Sequence, residues 1–309
     1  MKPGPVLAVD FGGTKVEAAL VLDGTLVPGT RTRRPTGPDR SAHELDAAVA
    51  DVVRGALGSS TVTRVGIGSA GPVDTVRGLV SPLNVPAWRE HPLRSVVSAL
   101  VPDAEVCLAI DGLAIALAEH RYGAGRDSSN VMGIVVSTGV GGGLVLDGRG
   151  ISGATGNAGH IGHVQVSGFE DRCPCGRTGC LEAVASGPSS VRWARAQGWH
   201  GTTGEELGAS TDPVARAAIE RSARAVGLAI ASASALVDLD VVAIGGGFSH
   251  SAPDYLDLVR AAADEGFGFV RATRILPAGL GDEAPLVGAS LVVASPVGSD
   301  PVGSDRVGE

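Results

Sequence analysis

Residues 10–24 read DFGGTKVEAALVLDG, and residues 137–150 read STGVGGGLVLDGRG. In each, an apolar run stops at a glycine turn and an extended apolar segment resumes: Val6 to Val9 then Val16 to Leu22, and Val131 to Val136 then Leu144 to Leu146. A strand–glycine–strand unit turns backbone amides toward a ligand, so Gly12 and Gly13 suit a phosphate, with the Thr14 hydroxyl beside it. Asp10 is placed to hold a hydrated magnesium ion near that phosphate. The repetition points to two similar halves that present phosphate turns to a shared cleft, with one nucleotide between them. A plain hairpin without a ligand is the competing reading of the GGT turn alone. The GGT turn is neither a Walker loop nor a dinucleotide fingerprint, because GxxxxGK[ST] and a strand-to-helix GxGxxG are absent there.

The segments between and after these units alternate strands with helices, as an α/β protein requires. Helical spacing of Leu45, Ala48, Val49, Val52, Val53 and Leu57 predicts a helix over residues 43–57. Further helices are expected at 93–100, 113–122, from about Leu181, at 213–237, 253–263 and 288–294. Strands are expected at 65–67, 106–110 and 241–244, the last leading into Gly245, Gly246 and Gly247. The proline-rich SPLNVPAW stretch, residues 81–88, reads as an ordered loop that lines a substrate site. Asp111 stands at the C-terminal edge of a strand and opens an alanine-rich helix, where open α/β sheets carry their chemistry. A carboxylate there can take a proton or cap the helix, and the two roles are compatible.

A second concentration of chemistry lies in residues 153–182, GATGNAGHIGHVQVSGFEDRCPCGRTGCLE. Cys173, Cys175 and Cys180 crowd together downstream of His160 and His163, which is the ligand density of a tetrahedral zinc site. Either histidine suits as the fourth ligand. Three thiolates and one imidazole close the coordination sphere, so such a zinc is expected to be structural. Reduced thiols beside two unrelated histidines are the alternative.

Composition bounds the rest. The 309 residues suffice for one large or two medium domains, and 46 glycines with 3% aromatic residues suit tight turns and aliphatic packing. A net charge of −8 without a basic run disfavours nucleic acid and favours small ligands. Cys107 stands alone in an apolar run, and the other three cysteines do not resemble a secreted disulfide framework. With no signal-peptide pattern at the start and no apolar run of membrane-spanning length, a soluble cytoplasmic protein is expected. The tail repeats PVGSD at 296–300 and 301–305, so disorder is expected from about Ser295.

Taken together, DFGGTK at 10–15, NVPAW at 84–88, Asp111 with its helix, STGVGGG at 137–143, GHIGHV with CPCGRTGCLE, and IGGG at 244–247 resemble the ROK family of sugar kinases. The resemblance spans about residues 6–294. It implies two actin-like (ribonuclease H-like) α/β domains around a central cleft, with a zinc-stapled loop. On that basis residues 1–110 form the first domain, 111–294 the second with its zinc loop at 160–182, and 295–309 a disordered tail. It also implies transfer of the γ-phosphate of ATP, with Mg2+, to the primary hydroxyl of a sugar, a structural Zn2+, and a homodimer without nucleic-acid or membrane partners. Carried over, Asp111 is the catalytic base. His163 binds zinc and sugar, and Cys173, Cys175 and Cys180 complete the metal set. Asn84, His160 and Glu182 also line the sugar. Asp10, Gly12, Gly13, Thr14 and Lys15 serve the nucleotide at the first turn, Thr138 and Gly139 at the second, and Gly245, Gly246 and Gly247 at the adenosine turn.

Two departures concern the acceptor. The family usually has Asn where this chain has Ile110, and Glu where it has His160. Losing two groups that bind ring hydroxyls disfavours glucose, so an amino sugar such as kanosamine or glucosamine is the leading expectation, with glucose or a cyclitol as the alternative. A catalytically weak sugar sensor is the rival of another class. A sugar-responsive repressor is disfavoured, since the phosphate turn begins at Asp10 and the charge is acidic.

Overall fold

The computed structural model describes residues 4–267 and 272–293. The chain opens with β1 (Val6–Phe11), β2 (Lys15–Leu22), β3 (Thr25–Leu26), β4 (Thr32–Pro35) and α1 (Ala42–Leu57). There follow β5 (Arg64–Ser69), β6 (Val73–Asp74), β7 (Leu79–Val80), α2 (Leu93–Leu100), β8 (Glu105–Ile110) and α3 (Asp111–Tyr122). Next come β9 (Val131–Val136), β10 (Val140–Leu146), β11 (Arg149–Ile151), α4 (Leu181–Ala185), α5 (Gly187–Ala196), α6 (Gly204–Ala209) and α7 (Pro213–Val237). The last elements are β12 (Val241–Gly245), α8 (Tyr255–Phe267), β13 (Arg274–Pro277) and α9 (Ala284–Val292). The tail expected to be disordered, and Ala294 at the end of the last expected helix, lie outside the described residues.

The internal repetition in the sequence becomes two sheets built alike. In the first, the strand order is β3-β2-β1-β5-β8, with β4 also on β2; in the second it is β11-β10-β9-β12-β13. β1 pairs antiparallel with β2 and parallel with β5, while β9 pairs antiparallel with β10 and parallel with β12. Each half therefore runs a hairpin and then parallel strands reached by crossovers. The bends of these hairpins fall at residues 12–14 and 137–139; Gly141, Gly142 and Gly143, expected in the second turn, lie within β10 and pair with Val135, Ile134 and Gly133.

Each sheet has its own core. Leu7, Val9, Val16, Val65 and Ile67 pack with Leu45, Val49, Val52 and Val53 of α1, all fully buried. Burying each such aliphatic side chain contributes about 1.5–3 kcal/mol. The start of α1 is set by a capping box in which Ser41 and Glu44 satisfy each other's backbone amides. Around the second sheet, Ile134, Val242 and Ile244 pack with the alanine-rich α7 and with α8. Alanine on α7 lets the two helices approach closely.

α9 starts four residues before the expected Gly288, with Pro285 in its first turn, where a missing amide costs no hydrogen bond. It lies against β1 and β5 of the first sheet and against α3. A Cβ on Gly288 would stand 1.9 Å from the carbonyl oxygen of Ala114, so only glycine permits the crossing. α3 touches β9 and β10 as well. It therefore sits between the sheets with its first residue, Asp111, facing the cleft.

Candidate active site

The cleft has a volume of about 600 Å³ and is lined by Gly13, Thr14, Asn84, Asp111, Thr138, Gly139, His160, His163 and Glu182 among others. Nine residues from separate stretches of the sequence thus meet in one space.

The first wall is the β1–β2 turn. The Gly12 amide donates to the Lys15 carbonyl at 2.9 Å, closing the bend. The Thr36 hydroxyl donates to the Gly12 carbonyl at 2.8 Å, and the Thr36 amide to the Thr14 carbonyl. The turn is thereby fixed in shape with Thr14 exposed to the cleft. Asn84 lies against it, 3.1 Å from where a Cβ on Gly13 would stand. Asp10, at the end of β1, is buried, and its carboxyl is pushed up to about 7, first by burial and then by Asp111. Such a buried carboxylate facing another suits a divalent cation, whose charge would offset both the burial and the repulsion. Lys15 does not line the cleft. Its ammonium pairs with the buried Glu17, which Arg31 and Arg33 also hold.

Asp111 is the first residue of α3, and its Oδ1 accepts from the Gly112 amide at 2.7 Å. Burial raises its carboxyl to about 6, the Gly112 amide works against that, and Glu182 adds to it. The group is ionised at neutral pH yet basic enough to accept a proton. Asp111 is not the helix cap expected from its position, because the N-cap is Ile110 and makes no side-chain capping bond; the Asp111 bond to the next amide engages only Oδ1, which leaves Oδ2 to accept a proton. Ile110, just before it, is buried against Gly71 and offers the cleft no polar group.

The opposite wall is the β9–β10 turn. Glu182, in the first turn of α4, accepts from the Val140 amide at 3.0 Å. A Cβ on Gly139 would lie 2.5 Å from Glu182 Oε2, so a larger residue there would displace the Glu182 carboxylate. Ser137 is held by α5, whose Gly187 amide donates to its carbonyl. Ser137 and Thr138 also border a second cavity of about 470 Å³, lined by Thr202, Thr203, Glu205, Gly247, Phe248 and His250. A phosphate chain at Thr138 can thus connect a group in this cavity to the main cleft. Gly247 lines that cavity, whereas Gly245 closes β12 and Gly246 turns sharply with φ +95°. The Thr202–Glu205 and Phe248–His250 contributions were missed from sequence. Thr203 caps α6, which is a capping signal and not a ligand signal.

His163, Cys173, Cys175 and Cys180 offer one ligand atom each, and the four atoms lie within 4.8 Å of one another. The Cys173 sulfur is 3.6 Å from His163 Nδ1, and the Cys175 and Cys180 sulfurs are also 3.6 Å apart. Zn–S bonds of ~2.3 Å in a tetrahedron put ligand atoms at such separations, so the donor set fits zinc. His163, not His160, is the fourth member. His160 lies beside it with the rings tilted by 57° and their centres 4.7 Å apart, and it faces the cleft. Its imidazole is pushed down to about 4, by burial and then by His163, and is neutral at physiological pH.

The ROK family model matches residues 6–295. The chain belongs to the ROK family. Its relatives within the family include a glucokinase of Streptomyces coelicolor, 30% identical over 311 residues covering 93% of this chain and 96% of the relative. An N-acetylmannosamine kinase of Yersinia pseudotuberculosis is 34% identical over 267 residues, covering 84% and 88%. A crystal structure of a ROK family glucokinase from Streptomyces griseus, in complex with glucose and AMPPNP, has a TM-score of 0.81 at 31% identity, covering 94% of this chain and 99% of the other. The two-lobed fold expected of a ROK chain is thus the fold observed. Among the described residues of this ROK chain, no helix is long and apolar enough to cross a membrane.

Proposed function

We propose that this ROK-family sugar kinase transfers the γ-phosphoryl group of ATP to the primary hydroxyl of an amino hexose, with kanosamine and glucosamine as leading acceptors. The carrying observation is the single cleft that collects Asp111, Glu182, His160, His163 and both glycine turns. The acceptor hydroxyl faces Asp111, whose carboxylate takes its proton as the oxygen attacks the γ-phosphorus. The bond from that phosphorus to the bridging oxygen breaks, and ADP leaves with the electron pair. Amides of the two turns, with Thr14 and Thr138, hold the phosphate chain, and the base of ATP occupies the cavity lined by Phe248. Lys15 acts on the nucleotide from outside the cleft wall, through the turn it closes. A magnesium ion at Asp10 would neutralise phosphate charge.

Zinc on His163 and the three cysteines is structural in this reading, because the four ligands leave no position for substrate. It fixes the His163 ring so that its other nitrogen meets the sugar. The first lobe is residues 1–110 and the second 111–294, with α9 returning to the first sheet. The kinase is read as a cytoplasmic homodimer.

An amino hexose is favoured over glucose because Ile110 is buried and apolar and His160 is a neutral imidazole, which accepts from an ammonium. The glucokinase and N-acetylmannosamine kinase relatives bracket this choice, since their named substrates share a hexose ring with a primary hydroxyl. ATP consumption measured against a panel of glucose, amino sugars and cyclitols tests the reading. Turnover fastest with an amino sugar supports it; glucose as the best acceptor replaces it with a glucokinase, and no turnover with any sugar leaves a sensor.

A further inference from the structure

Two elements from opposite lobes meet next in sequence to residues of the cleft lining. One is the β6–β7 hairpin, which follows Ala70 and Gly71 of the cleft lining; the other is the loop 153–159, which leads into His160. The Asn157 side chain joins them. Its Oδ1 accepts from the Val73 amide at 2.9 Å, and its Nδ2 donates to the Val73 carbonyl at 2.7 Å and to Thr155 Oγ1 at 2.9 Å. One side chain thus imitates a strand neighbour of β6, with a second link from the Thr75 amide to the Thr155 carbonyl at 3.0 Å. The fit is close, for a Cβ on Gly156 would come within 2.5 Å of Thr75 Cγ2.

Both sides of this clasp transmit to acceptor residues. On the hairpin side, the Ser81 amide donates to the Pro72 carbonyl at 2.9 Å and the Leu83 amide to the Gly71 carbonyl at 3.4 Å, so the loop carrying Asn84 follows the same strand. On the other side, the Ala158 amide donates to the Ser152 carbonyl at 3.0 Å, and His160 lies just beyond. The residues assigned to the nucleotide, by contrast, are held by Thr36, Glu182 and α5.

We propose that Asn157 is a positioning residue that sets the width of the acceptor pocket, holding His160 at a fixed distance from Gly71 and Asn84 without acting on ATP. This rests on the reading that the cleft at Asp111 takes the acceptor. The proposal is specific to Asn157, since a carboxamide alone offers the paired acceptor and donor that match one backbone residue.

The test is steady-state kinetics of full-length Asn157→Ala and Asn157→Asp with the best acceptor of the wild type, varying acceptor and ATP in turn. Asn157→Asp keeps the size and the Oδ1 acceptor but sets an oxygen against the Val73 carbonyl, so it serves if the alanine variant folds poorly. With both bonds to Val73 lost in Asn157→Ala, acceptor KM should rise about tenfold or more, and with one of them opposed in Asn157→Asp it should rise about threefold or more, while KM for ATP stays within about twofold in each. An unchanged acceptor KM in both variants overturns the proposal, as does an equal rise in both KM values. The cleft reading is judged separately, by Asp111→Asn: if that variant loses turnover while Asn157 variants behave as wild type, the clasp fails and the cleft stands.

Discussion

Glu119 is a fully buried carboxylate in the last turn of α3, and its oxygens accept from backbone amides. Ala124 donates to Oε2 at 2.9 Å, Leu280 to Oε1 at 3.1 Å, and Gly279 to both, at 3.1 and 2.9 Å. The group therefore ties the end of α3 to the segment between β13 and α9, joining the helix of Asp111 to the helix on the first sheet. In Glu119→Gln one oxygen becomes an amide nitrogen. Whichever side it takes, one of Ala124 and Leu280 loses its acceptor and meets a donor, and Gly279 keeps one bond of two. A hydrogen bond to a charged group contributes about 1.5–3 kcal/mol, and stranding a buried donor costs a similar amount, so the loss should be about 2–4 kcal/mol. At about 2 °C per kcal/mol for a chain of this size, Tm should fall by roughly 4–8 °C. Differential scanning calorimetry of wild type and variant is the assay. A variant that melts within about 1 °C of wild type would refute the claim that this carboxylate holds the two helices together.

The purified protein should hold about one zinc per chain by metal analysis, and Cys175→Ser should lose the metal and unfold at lower temperature. Wild-type metal content near zero, or a variant that keeps both metal and stability, contradicts the Cys3His site. His160→Glu should shift kcat/KM toward glucose relative to glucosamine, by about the 5- to 10-fold that one hydrogen bond to a sugar hydroxyl supplies. A ratio that does not move, in an enzyme that already prefers glucose, removes the argument for an amino sugar.

Much of the site was legible because its chemistry is local in sequence. The hairpin glycines 12 and 13 and the ligand run 173–180 each form their structure within a few residues, whereas the second turn is shorter than its glycines suggest, because Gly141, Gly142 and Gly143 pair within β10. The repeat between residues 10–24 and 137–150 even carried the two-lobed topology, because each hairpin seeds a sheet of the same order. What the sequence concealed depends on long-range meetings. Glu119 reads as an exposed acid in an alanine-rich helix until residues 279–280 are placed over it. Asn157 looks like a turn residue until β6 arrives beside it. Spacing alone left His160 and His163 open as metal ligand; the family resemblance pointed to His163, which is the histidine that lies with the three cysteines. β4 and β13 escaped as well, since their exposed arginines hide the strand pattern while their pairing with β2 and β12 makes them strands. α9 was placed late because Pro285 reads as a helix breaker, yet it falls in the first turn.

The central claim is that Asp111 receives the proton of the attacking hydroxyl, and Asp111→Asn tests it most directly, because the amide keeps the size of the side chain and cannot accept that proton. Single-turnover phosphoryl transfer should be measured beside equilibrium binding of ATP and of the acceptor. The account expects transfer to fall by about 10²- to 10⁴-fold with both ligands still bound. A variant that keeps more than about a tenth of wild-type turnover would contradict the assignment of Asp111 as the base.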